Sequence, residues 1–83
     1  MYNIAFDKEA EKEFLKLEKQ VQILVSSKIL DLQNGSFTND KQLKGKHKGK
    51  FRKIAGKYRI IYLRENNILL ITLIRVAHRK EVY

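Results

Sequence analysis

From Phe51 to Val76 side chains of like character recur with a two-residue period, and two turn-forming stretches interrupt the run. Successive residues of a strand point to opposite faces, so this period commits the second half of the chain to a sheet. In Ala55-Gly56-Lys57-Tyr58, Gly56 can take the positive φ that a type II′ turn needs at its first central position. In Glu65-Asn66-Asn67 the asparagines tolerate the left-handed region. The stretch Lys41 to Tyr83 therefore reads as three consecutive antiparallel strands.

The turns set a register. Pairing Ala55 with Tyr58 places Ile54 opposite Arg59 and Arg52 opposite Ile61. Pairing Arg64 with Ile68 places Ile61 opposite Ile71 and Arg59 opposite Leu73. One face then collects Arg52, Ile54, Arg59, Ile61, Leu63, Leu69, Ile71, Leu73 and Arg75. The other collects Tyr58, Ile60, Tyr62, Ile68, Leu70, Thr72, Ile74 and Val76, with Lys53 at its margin, and suits a cover of helices. A one-residue bulge in either hairpin swaps these faces. On the first face Ile61, Leu63, Leu69, Ile71 and Leu73 form an apolar strip with no element left to cover it, which points to a protein partner.

The first half supplies the cover. Tyr2 to Phe6 reads as a short strand, and Asp7 as an N-cap followed by Glu9 and Glu11 in the first helical turn. Ala10, Phe14, Leu17, Val21, Leu24, Val25, Ile29 and Leu32 recur at three- and four-residue spacing. A single helix from Lys8 to Gln33 would be about 39 Å long. A break near Glu18 to Gln22 and an antiparallel helix pair are predicted instead, ending at the Asn34-Gly35 stop. The fold class is thus α+β: an N-terminal strand, a helix pair, then a three-stranded meander, all in one domain over residues 1–83.

Charge separates the halves. Residues 1–33 hold five lysines against six acids, and residues 34–83 hold thirteen Lys and Arg against three acids. Segregated positive charge suits a polyanion such as nucleic acid. The loop from Ser36 to Gly49 contributes Lys44, Lys46, Lys48 and Lys50 at a two-residue spacing that aligns amines along an extended chain. Lys53, Lys57 and Arg75 extend the basic set, while His47 is read as a passive contact in the loop. Without cysteine, and with only His47 and His78, the chain offers no thiolate ligand and no persuasive zinc site, so neither metal nor cofactor is expected. The start MYNIAFDKEA lacks a basic n-region, and the apolar run Ile68 to Ile74 is too short to span a membrane. These features predict a soluble, cytoplasmic protein with no membrane partner.

The pieces Phe51-Arg52, Gly56-Lys57-Tyr58-Arg59-Ile60-Ile61-Tyr62 and Arg75-Val76-Ala77-His78-Arg79-Lys80-Glu81-Val82-Tyr83 follow a strand, two helices and a basic loop. In that combination the chain resembles the RelE/ParE superfamily of toxin–antitoxin toxins over nearly its whole length. The resemblance implies a ribosome-dependent endoribonuclease that cuts mRNA, with the ribosome as its setting, and a cognate antitoxin that silences it. The uncovered strip Ile61, Leu63, Leu69, Ile71 and Leu73 is where that antitoxin is expected. The resemblance places Arg52, Arg59, Arg79 and Tyr83 at family site positions, and puts Ile54 where the best-studied branch has a lysine. The alternatives are a ParE-like gyrase inhibitor and a non-catalytic nucleic-acid-binding module.

Metal-free RNA cleavage needs a base for the 2′-hydroxyl proton, cations on the nonbridging oxygens and an acid for the leaving oxygen. Arg52 and Arg59 suit the second task, because guanidinium grips phosphate through paired donors. Arg79 fits charge stabilisation, and Tyr83 fits stacking or orientation of the 2′-hydroxyl. His78 reads either as a proton shuttle or as a strand-end histidine satisfied by backbone.

Overall fold

A computed structural model describes residues 1–82 of the 83-residue chain; Tyr83 lies outside the described residues. Strand β1 (Asn3–Phe6) leads into helices α1 (Lys8–Leu15) and α2 (Lys19–Gln33). Strands β2 (Lys41–Gln42), β3 (Phe51–Ala55), β4 (Tyr58–Glu65) and β5 (Leu70–His78) follow, with one 3₁₀ turn at Gly45–His47. The sheet runs β1-β5-β4-β3-β2, with β1 parallel to β5 and every other pair antiparallel. This is the predicted α+β architecture, enlarged by β2, whose two polar residues carry no period that a sequence pattern could reveal.

The helices start and stop for local reasons. The Asp7 side chain accepts a hydrogen bond from the Lys8 amide, capping α1. The break falls at Lys16–Glu18, slightly before the predicted Glu18–Gln22, and the Gln22 side chain donates to the Phe14 carbonyl across it at 2.9 Å. Gly35, at φ +79, ends α2 by donating to Leu32 while Ser36 donates to Asp31. The helices bury Ala10, Val25 and Leu32 against Ile60, Tyr62, Ile71 and Leu73 of the sheet, all fully shielded from solvent. Each such aliphatic side chain contributes about 1.5–3 kcal/mol when buried.

The first hairpin has the predicted register, Arg52 opposite Ile61 and Ile54 opposite Arg59. Gly56 turns it at φ +61, and a Cβ added there would stand 3.0 Å from Leu24 Cδ2. We expect Gly56→Ala to lose about 1–2 kcal/mol in urea unfolding, since the left-handed conformation is costly for an L side chain. A change of less than a few tenths would contradict this account of the turn.

The second hairpin departs from expectation. Its turn occupies Asn66 to Leu69, with Leu69 at φ +51, so Arg64 pairs with Ile71 rather than Ile68. That odd slip carries Ile71 and Leu73 under the helices, where both are fully buried, and puts Leu70 and Thr72 on the other face. An irregularity between Ile61 and Tyr62 then leaves Ile74 unpaired and restores the parity, so Ile61 meets Arg75 and Ile60 meets Val76. Ile71 and Leu73 therefore do not belong to an exposed strip. Among the described residues no helix is long and apolar enough to cross a membrane.

Candidate active site on the open face of the sheet

The face away from the helices carries two cross-strand rows. One runs Lys41, Arg52, Ile61, Arg75, and the next runs Ile54, Arg59, Ala77. The face is not bare. Leu43 from the loop before β3, together with Val82 near the C-terminus, packs against Ile61 and Ala77, with Ile74 alongside. Ile61 and Val82 are buried as a result. Of the predicted strip, Ile61, Ile71 and Leu73 are inaccessible, Leu63 is half-buried, and only Leu69 is well exposed. The sequence reading treated Leu43 as loop and Val82 as chain end, and so left their apolar area uncounted.

Arg52 and Arg59 lie on this face at neighbouring rows, with Ile54, 44% exposed, directly opposite Arg59. Arg59 Nη1 donates to the carbonyls of Gly56 and Tyr58 at 3.0 and 2.9 Å, which holds the guanidinium beside the turn. Arg79 is exposed just past β5, and its amide donates to the Lys57 carbonyl at 2.8 Å, fixing the tail next to the same turn. Lys57 is exposed there as well. Among the described residues, the ion pairs are Lys53 with Asp40 and Arg75 with Glu9 and Glu13. The charges of Arg52, Arg59, Arg79 and Lys57 are not neutralised by any of them. Such a group can bind phosphate and stabilise charge developing on it.

Other predicted members stand elsewhere. Lys53 is buried on the helix side, its Nζ 3.0 Å from Asp40 Oδ1, so it serves the core and not a nucleic acid. Arg75 donates to Glu13 at 2.7 Å, with Glu9 at 3.6 Å, and its charge is spent on α1. The hydrogen bonds to Glu13 raise its pKa above the ordinary range, against an opposing effect of burial. His78 pairs with Tyr58 on the helix face, where their rings meet edge to face at 5.4 Å. Its Nδ1 accepts from the Lys80 amide at 3.1 Å, the strand-end alternative. The sheet therefore separates His78 from Arg52 and Arg59. Tyr83 is outside the described residues.

The basic loop is curled, not extended. Leu43 donates to the Lys50 carbonyl at 2.8 Å, Lys48 to Gly45 at 3.0 Å and Lys50 to His47 at 3.0 Å. Lys44, Lys46 and Lys48 are exposed on it and Lys50 is half-buried. His47 is half-buried, and both its ring nitrogens are shut from solvent without a hydrogen-bond partner among the described residues. Burial first, then the charges of Lys46, Lys50 and Arg75, lower its pKa. The sequence reading took this residue for a passive contact. The available signal was that it is the one side chain in the lysine run whose charge changes near neutral pH. Among the described residues, no three His, Asp or Glu side chains gather where they could hold a metal ion.

Comparison with known proteins follows the same lines. The sequence model of a family described as "ParE toxin of type II toxin-antitoxin system, parDE" matches residues 4–83. No curated protein sequence matches the chain. Among solved structures, the RelBE2 toxin–antitoxin complex from Mycobacterium tuberculosis is similar at 25% identity and a TM-score of 0.83, over 94% of this chain and 98% of that one. The isolated E. coli RelE toxin is similar at 21% identity and a TM-score of 0.79, over 94% of this chain and 84% of that one. A chain of the YoeB–YefM toxin–antitoxin complex from Staphylococcus aureus shares the fold at 14% identity and a TM-score of 0.75, over 94% of this chain and 97% of that one.

Proposed function

The chain belongs to the ParE toxin family of type II toxin–antitoxin systems, and we propose that it acts as a ribosome-dependent mRNA endoribonuclease held in check by a cognate antitoxin. The observation that carries this reading is that Arg52 and Arg59 share the open face of the β3–β4 pair and Arg79 is tied by its amide to the turn between those strands, with no carboxylate paired to the three among the described residues. One toxin domain over residues 1–83 carries the activity, in the cytoplasm where ribosomes translate. In the proposed reaction the 2′-hydroxyl gives its proton to water and attacks the adjacent phosphorus, and the bond to the 5′-oxygen breaks as that oxygen takes a proton from water, leaving a 2′,3′-cyclic phosphate. Arg52 and Arg59 hold the nonbridging oxygens, Arg79 adds positive charge, and Tyr83 stacks on a base or orients the 2′-hydroxyl.

The antitoxin is the second part of the proposal. RelBE2 of M. tuberculosis was solved as a toxin–antitoxin complex. For this chain, apolar side chains accessible to a partner include Leu69, at 47% exposure, and Ile23 and Leu30 on α2, at 62% and 54%. A second reading, gyrase inhibition, is favoured by the description of the matching family and by Ile54 in place of a lysine. Expression in cells separates the two. The proposal expects amino-acid incorporation to stop first, with plasmid supercoiling unchanged. Loss of supercoiling with continued translation would select gyrase.

Ile54 supplies a further test. We expect Ile54→Lys to raise cleavage of ribosome-bound mRNA by about tenfold or more, because a positioned base contributes about 10²–10⁴-fold. The added amine would face Arg59 across the strand pair. Like charge there lowers its pKa toward the useful range. An unchanged single-turnover rate would remove this position from the chemistry.

A further inference from the structure

On the open face two polar groups are shut from solvent without a hydrogen-bond partner among the described residues: the His47 ring, at both nitrogens, and Arg52 Nε. A buried polar group left unpaired costs about 1–3 kcal/mol, and the loop that carries His47 reaches the row that holds Arg52. Arg52 and Arg75 flank Ile61 in one cross-strand row, and Leu43, from the loop that carries His47, packs on Ile61. Lys46 and Lys50 flank His47 on the loop, and residues 41–50 contain no acid. Of the acids around this row, Glu9 and Glu13 pair with Arg75, Glu81 also acts on Arg75, and Asp40 pairs with Lys53 and Tyr62.

We propose that His47, Lys46 and Lys50 form a site for a phosphodiester of the nucleic-acid backbone, and that His47 binds it in the protonated form. The site deepens the RNA reading above and rests on it for the identity of the polymer. Lys46 and Lys50 are donors only, a protonated His47 is a donor at both nitrogens, and the charges acting on the ring, those of Lys46, Lys50 and Arg75, are positive, so an anion with several acceptor oxygens fits the site. Gly45 and Gly49 bracket His47 at φ +69 and +88, with no atom within 4 Å of an added Cβ, which gives the loop room to present the ring.

The proton linkage follows from the neighbours. In the free protein, burial and the charges of Lys46 and Lys50 on the loop and Arg75 on β5 oppose protonation of His47. Arg75 is itself partly balanced by Glu9 and Glu13 on α1. A bound diester reverses the field at the ring and raises its pKa. Affinity must then rise as pH falls from above the bound-state pKa to below the free-state pKa. A separation of one pKa unit corresponds to tenfold in affinity.

The test uses the full chain and a fluorescent 2′-O-methyl RNA oligonucleotide, which lacks the 2′-hydroxyl nucleophile and whose diesters do not titrate near neutrality. Anisotropy at about pH 5.5 and about pH 8 should show at least tenfold tighter binding at the lower pH. His47→Gln should abolish that difference, and His78→Gln should retain it. NMR titration should show the His47 pKa rising when the oligonucleotide is added. Equal wild-type affinity at the two pH values, or a pH dependence that survives His47→Gln, overturns the site. Cleavage of ribosome-bound mRNA, measured in parallel, separates the two claims. Proton-linked binding without cleavage supports this site and overturns the nuclease, whereas cleavage without proton-linked binding overturns this site alone.

Discussion

Asp40→Ala should destabilise the protein by about 3–5 kcal/mol, the cost of removing one partner from a buried ion pair. Asp40 precedes β2, yet its carboxylate reaches under the sheet: Oδ1 stands 3.0 Å from Lys53 Nζ, and Oδ2 accepts from the Tyr62 hydroxyl at 2.5 Å. The Lys53 and Asp40 side chains are only 7% and 4% exposed. Alanine would strand an ammonium and a phenol where water does not reach them. Burial first, and then the hydrogen bond to Asp40, raise the Tyr62 pKa far above its ordinary range. That contribution is therefore fully present below about pH 10 and is lost as pH rises beyond it. Tyr62→Phe should cost less, about 0.5–1.5 kcal/mol, since one hydrogen bond goes and the ion pair remains. Total stability for a domain of this kind is about 5–15 kcal/mol, so Asp40→Ala removes a large share of it. Urea unfolding measures both, and a loss below about 1 kcal/mol for Asp40→Ala would show that the pair does not hold the loop.

Arg52→Ala and Arg59→Ala should each lower cleavage of ribosome-bound mRNA by about 10²–10³-fold, as for other lost donors to a developing oxyanion. Each should also relieve growth inhibition. Arg59 gives up only two hydrogen bonds to turn carbonyls, the main core is on the opposite face, and neither arginine belongs to the smaller cluster of Ile61, Ala77 and Val82 on their own face. The unfolding midpoint should consequently stay close to wild type, which separates lost chemistry from lost fold. Lysine at either position should restore part of the rate, because the charge returns without the planar fork. Full toxicity of both alanine variants would remove the arginines from the site.

The first hairpin was legible because Gly56 leaves one good turn, and a two-residue period then fixes every partner. The second was misread because Leu69 takes a positive φ that nothing in its chemistry announces. The extra residue at Ile74 concealed the error, restoring Arg75 and Val76 to their expected faces while Ile71 and Leu73 changed sides. Strand parity put Arg52 and Arg59 on the open face, where the structure has them. The partner of Arg75 was not legible: Glu13 and Arg75 lie 62 positions apart, and no local pattern links them. Lys53 likewise looks like one more cation of a basic stretch until Asp40 is seen beneath it. His78 was weighed as a proton shuttle for its side-chain type, with a strand-end histidine as the alternative; pairing with Tyr58 puts it on the far face.

Primer extension on mRNA translated by purified ribosomes, with and without the protein, bears most directly on the account. It predicts new 5′-ends within the translated region that appear only when ribosomes are present and fade in Arg52→Ala and Arg59→Ala. Intact mRNA at toxin concentrations that arrest growth, together with inhibition of gyrase supercoiling by the same preparation, would contradict it.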